Sequence, residues 1–287
     1  MGTSGSSKGP GANVPMVPPW VPEVPAQSPA PPATAAPEGE GAGSEIISVN
    51  PATSAQPMPA QLAPSGRFAG ARRSFGDFAK SGDPNAMRRG LGHYVKKGYG
   101  GGGGAARRFG GTVASAGTLY GVLSTPAGTP TGAPGREFDP AVFAGRSARE
   151  IMDAIVESVR PVDGTQDAEA SRKAIKTALS ELLEVYPDAN PLELNEDEKG
   201  FVIERFVAID VYQRLCLDLG EHIQANAPTP KAAGARFKEI KAYIKEVVAQ
   251  SFRKLKAAGE KLTTGRIKNV VSAALRNTFA VFEGDAE

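Results

Sequence analysis

The stretch Asn195-Glu196-Asp197-Glu198-Lys199-Gly200-Phe201-Val202-Ile203-Glu204-Arg205-Phe206-Val207-Ala208-Ile209-Asp210-Val211 decides the fold. Asn195 followed three residues later by Glu198 is the pattern of a capping box, in which each side chain satisfies the other residue's backbone amide at a helix start. Behind it, Phe201, Val202, Ile203, Phe206, Val207, Ile209, Val211, Leu215 and Leu217 occupy more than one helical face. A helix apolar on several faces belongs in the centre of a bundle, so this one is expected to be buried and to run to about Gly220. Glu196, Asp197 and Glu198 fall in its first turn, where the positive helix end favours carboxylates, which accounts for them without acid–base catalysis.

Four further helices flank this one. Ser147 and Glu150 form a second capping box, followed by Ile151, Ile155 and Val159 at helical spacing until Pro161 stops the run. From about Ala168 to Tyr186, the residues Ala168, Ser171, Ile175, Ala178, Leu179, Leu182 and Leu183 share one side, and Pro187 ends the pattern. Thr229-Pro230 starts another helix, with Phe237, Ile240, Ile244, Val247, Val248, Phe252 and Leu255 as its stripe. The last runs from about Thr264 to Phe282 on Ile267, Val270, Val271, Ala274, Leu275 and Phe279. The fold class expected is all-α, with a multi-helix bundle of about five helices in residues 136–287.

Upstream the composition changes. Residues 66–135 are basic and Gly-rich: Phe68, Phe75, Phe78, Met87, Leu91 and Tyr94 mark short amphipathic helices, and Gly82, Gly90, Gly92 and Gly98 weaken each continuation. Gly100 to Gly104 reads as a flexible break, Ala105 to Leu123 as one more small helix, and Ser124 to Gly135 as a linker. Residues 1–65 hold fourteen prolines and little apolar surface, which predicts a disordered tail. Within it Val14-Pro15-Met16-Val17-Pro18-Pro19-Trp20-Val21-Pro22 carries the single Trp of the chain, and reads equally as a docking segment and as a spacer.

The formal charge of +2 conceals blocks. Residues 66–136 hold eleven Lys or Arg against two Asp, a net of +9. Residues 137–235 hold ten basic and nineteen acidic groups, a net of −9, and residues 236–287 return to +5 with eleven against six. Arg67, Arg72, Arg73, Arg88, Arg89, Lys96, Lys97, Arg107 and Arg108 suit an acidic protein surface or the chain's own acidic block. With Phe75, Tyr94 and Tyr99 interspersed, they also suit nucleic acid, through phosphate neutralisation and base stacking. Lys238, Lys241, Lys245, Lys254, Lys256 and Lys261 are read as the wet face of amphipathic helices.

No catalytic or metal-binding constellation is legible. One Cys, Cys216, and two His, His93 and His222, leave no set of metal ligands or disulfide framework, and Cys216 is read as a small buried hydrophobe. Gly100 to Gly104 lacks the Lys-Ser/Thr of a phosphate loop, so no cofactor is expected. No run of apolar residues is long enough to span a membrane, and the opening lacks a signal-peptide pattern, so a cytoplasmic protein without a transmembrane anchor is expected.

The first residues are more distinctive. Met1 removal exposes Gly2, followed by Thr3, Ser4, Gly5, Ser6 and Ser7, a small flexible substrate for an enzyme cleft, and the same residues fit the loose N-myristoylation pattern. The opening Met1-Gly2-Thr3-Ser4, the Ser-rich run to Gly11 and the segment Val14 to Pro22 resemble the amino terminus of the QatB family, the helical component of a four-gene anti-phage defence system. That resemblance implies a non-enzymatic partner working beside an ATPase, a QueC-like enzyme and a TatD-like nuclease. It implies further that the ATP-using QueC-like enzyme attaches a 7-deazaguanine-type group to Gly2. Thr3, Ser4, Gly5 and Ser6, with Pro15, Pro18, Pro19 and Trp20, would then contact the partner. Two other readings stand beside it: a nucleic-acid-binding adaptor using residues 67–108, and a structural or secretion-associated protein.

Overall fold

Asn195 caps a helix as expected. In a computed structural model of the chain, its Oδ1 accepts from the amides of Asp197 and Glu198, each at 3.0 Å, and its own amide donates to Glu198 Oε2 at 2.8 Å. The structure describes residues 66–130, 135 and 137–286. The expected disordered tail of residues 1–65 lies outside these, and so does every candidate residue within it.

Among the described residues there are nine α-helices and no strand. They are α1 (Ala69–Ser81), α2 (Pro84–His93), α3 (Gly102–Arg108), α4 (Gly110–Leu123), α5 (Ala148–Val159), α6 (Gln166–Val185), α7 (Glu196–Asn226), α8 (Pro230–Ala257) and α9 (Ile267–Gly284). The last five are the expected bundle, and short helices precede it. Helix α7 packs against α6 and α8 and also against α1 and α4, so it is central. Val202, Ile203, Phe206, Val207, Ile209 and Leu215 are all fully buried. One cluster of buried side chains runs from Phe68 through Leu123 to Phe282, so the short basic helices share the core of the long ones.

Three differences from the sequence reading have physical causes. Helix α7 continues past Gly220 to Asn226. Gly220 does not stop it, because the helix is held by packing there: Phe237 of α8 lies 4.0 Å from where a Cβ would stand. The stop comes at Ala227, extended at φ −74 and ψ 140 ahead of Pro228, as a residue before proline prefers. Second, the run Gly100 to Gly104 is not a simple break. Gly100 and Gly101 turn the chain with φ of 71 and 91, whereas Gly102 to Gly104 open α3. A Cβ at Gly104 would run into the Tyr99 carbonyl, so glycine is required there by close approach. Third, α2 runs into a widened π-helical turn, Tyr94–Gly98. That spacing brings residues five apart to one side, and the Tyr94 and Tyr99 hydroxyls meet at 3.2 Å.

Candidate functional site

Three features of the described residues carry polar chemistry. The innermost is a spine around Asp210 of α7, which is fully buried. Its Oδ2 accepts from Thr112 Oγ1 of α4 at 2.5 Å and from Arg214 Nε at 3.0 Å, and its Oδ1 accepts from Ser171 Oγ of α6 at 2.7 Å. A buried carboxylate is tolerable only when its lone pairs are filled in this way. The Arg214 guanidinium, over the Phe109 ring at 5.5 Å, then pairs with Asp167 at 2.8 Å. Arg108 of α3 pairs with the same Asp167 oxygen at 2.8 Å. Burial would raise the Asp167 carboxyl, but the two arginines hold it below the usual carboxylate range.

Next to the spine, Tyr94 and Tyr99 both donate to Asp218 Oδ2, at 2.8 and 2.6 Å. Their rings are part of an aromatic run through Phe68, Phe109 and Phe279, with centroid spacings of 5.0–6.3 Å. Burial raises the Tyr99 phenol to about 12 and also pushes that of Tyr94 well up, so both remain donors at neutral pH. Phe75 and Tyr94 are buried, which removes them as stacking platforms for bases and corrects that part of the sequence reading.

Of the nine basic residues singled out from sequence, eight are exposed and Arg67 is half-buried with its guanidinium over the Phe68 ring, yet they do not form one patch. Arg108 is tied to Asp167 of the acidic block, an intramolecular pairing of the kind the charge blocks suggested. The Arg88 guanidinium lies over the Tyr243 ring of α8 at 5.4 Å, and the Arg72 carbonyl accepts from His222 Nε2 of α7 at 2.8 Å. That bond gives His222 a docking role between α1 and α7. Arg107 stands on α3, whereas Arg89, Lys96 and Lys97 gather around His93. Burial first, then Lys97, Lys96 and Arg89, lower the pKa of that imidazole.

The third feature is a cleft of about 1010 Å³ between the start of α7 and the α8–α9 connection. Tyr186, Phe201, Phe252 and Leu262 wall it, with the Tyr186 and Phe201 rings edge to face at 5.6 Å. The half-buried Glu204 lines it, its carboxyl pushed up by burial. The cleft is lined by no His, Cys or Ser, and so by no nucleophile paired with an imidazole base. Among the described residues no group of His, Cys, Asp and Glu could hold a metal ion, and no helix is long and apolar enough to cross a membrane.

Sequence reasoning missed the Asp210 spine and the tyrosine–Asp218 cluster. The signal available was a lone carboxylate amid the most apolar stretch of the chain. Gly2, Thr3, Ser4, Gly5, Ser6, Pro15, Pro18, Pro19 and Trp20 lie outside the described residues.

Fold and sites together define an all-helical protein organised around a buried charged spine on its central helix. Residues 100–282, from the turn before α3 to near the end of α9, match the family described as Qat anti-phage system associated protein QatB. The chain belongs to the QatB family and is a component of an anti-phage defence system. No curated protein and no solved structure matches it.

Proposed function

We propose that this chain is a non-enzymatic, cytoplasmic subunit of its defence system and the protein substrate of a QueC-like enzyme, which joins a 7-deazaguanine-type group to the Gly2 amine. Membership of the QatB family carries the reading, since it supplies the system in which such a partner would act. The chemistry assigns the catalyst to the partner. The partner activates the donor's carboxyl with ATP, and the neutral Gly2 amine attacks the activated carbonyl. An amide bond forms, the activating group leaves with the electron pair, and the amine gives up a proton. An α-amine has a reference pKa near 8, so a usable neutral fraction exists near neutral pH, unlike the Lys8 side chain with a reference near 10.4. Thr3, Ser4, Gly5 and Ser6 are small enough to follow Gly2 into an enzyme cleft, and Pro15, Pro18, Pro19 and Trp20 offer a second contact that raises effective concentration. The ATPase and the TatD-like nuclease are the further partners this reading implies.

Intact mass of the full chain, coexpressed with the QueC-like enzyme and its donor, tests the proposal. The mass of the donor less water should appear with the active enzyme, vanish when the enzyme is omitted and diminish when Gly2→Pro is introduced. An unmodified chain beside an active enzyme and donor would overturn it.

A further inference from the structure

Helices α1 and α2 form an antiparallel hairpin whose inner side is locked into the core by Phe75, Phe78 and Leu91, all fully buried. Its outer side carries charge. Arg89 and His93 are four residues apart on one face of α2, and Lys96 and Lys97 of the π turn that follows lie close enough to act on the same imidazole. On α1, Gly70 comes within 3.3 Å of the His93 ring, measured from where a Cβ would stand. Arg73 lies one turn further along α1 on that same side, and is exposed. The hairpin holds only two carboxylates, Asp77 and Asp83. Asp83 is engaged as the α2 cap, accepting from the amides of Asn85 and Ala86 at 2.9 and 3.2 Å, and reaches Arg89 only at 3.8 Å. The result is a cationic ridge of Arg73, Arg89 and Lys97.

We propose that this ridge binds the phosphate backbone of duplex nucleic acid. Two observations choose that ligand. A protein partner needs an apolar centre to its interface, and every large exposed hydrophobic side chain among the described residues lies elsewhere: Val142, Val162, Val185, Tyr186, Leu217 and Val281. Single strands need exposed aromatic faces for their bases, whereas Phe75 and Tyr94 are buried and the half-buried Tyr99 ring is packed edge to face with Phe68, Tyr94 and Phe109. A double helix asks only for fixed positive charges along a backbone, which helices presented from a packed core supply. The ridge lies outside residues 100–282, the part of the chain matched to the family, although it packs on α7 and α9 within that part. The inference is independent of the Gly2 chemistry.

Fluorescence anisotropy of the full chain with a labelled duplex of about 25 base pairs, titrated between about 50 and 200 mM salt, tests the ridge. Binding should weaken steeply with salt. The combined Arg73→Gln, Arg89→Gln and Lys97→Gln variant should bind at least about tenfold more weakly and lower the log–log salt slope by about 2–3. A control with the exposed Lys238, Lys254 and Lys261 changed to Gln should bind as the unaltered chain does. Circular dichroism melts should coincide for all three, and Lys97→Glu alone carries the test should the triple variant melt early. No duplex binding, equal weakening in the control, or loss of affinity for polyglutamate with duplex binding unchanged would overturn the proposal. The last of these outcomes would instead mark an acidic protein as the ligand.

Discussion

Asp210 sits where burial makes a charge most costly, and three helices supply its partners: Thr112 from α4, Ser171 from α6 and Arg214 from α7 itself. Removing one member of a filled, buried ion pair leaves the other uncompensated, so Asp210→Ala should destabilise the fold by about 3–5 kcal/mol. Urea melts measure this, and a double-mutant cycle with Thr112→Val should show strong coupling; additive losses would mean that the spine does not act as a unit. Phe206, one turn earlier on α7, is fully buried, as the apolar pattern predicted. Phe206→Ala should cost about 3–5 kcal/mol through lost transfer energy and a cavity, and a variant as stable as the parent would contradict that placement. The two neighbours differ in legibility. Phe206 follows from periodicity, a local property of the sequence, whereas the role of Asp210 depends on residues up to 98 positions away.

Helices are tied to one another by side chains of this kind as well as by the core. Glu181 of α6 pairs with Lys241 and Lys245 of α8 at 3.2 and 2.7 Å and approaches Arg205 of α7 at 3.8 Å, so one carboxylate joins three long helices. Burial pushes its carboxyl up, but the two lysines outweigh burial and hold it below the usual range. A carboxyl whose pKa is lowered in the folded state stabilises the fold above its unfolded pKa, about 4.3, and loses that contribution as pH falls through the folded value. Glu181→Ala should therefore cost about 1–2 kcal/mol at pH 7, between the values for exposed and buried pairs. The difference in melting temperature between variant and parent should shrink to nothing in acid below the ordinary carboxylate range; a difference independent of pH would show that the ion pairs contribute nothing. It follows too that Lys241 and Lys245, read from sequence as a wet face, are partly structural. The capping boxes at Ser147 and Asn195 were legible because both partners lie within one turn. The continuation of α7 past Gly220 and the π turn were not, since Phe237 of α8 and Asp218 of α7 act on them across the fold.

Across the whole chain, the fourteen prolines and scant apolar surface of residues 1–65 argue that they add little to the core that runs from Phe68 to Phe282 among the described residues. A chain starting at residue 66 should melt as the full chain does, and a lowered melting temperature would show that residues 1–65 contribute to the core. The family match covers the helices from α3 to α9, while the likeness seen in the sequence rested on residues 1–22, so two separate parts of the chain lead to the same family. The two parts also divide the labour proposed: helices supply a stable body, and the amino terminus supplies the reacting amine. Tandem mass spectrometry of the chain purified after coexpression with the QueC-like enzyme tests that division most directly. The account predicts that the added mass lies on the amino-terminal residue, Gly2, in fragments that exclude Lys8; finding it on Lys8 or on any internal side chain would contradict it.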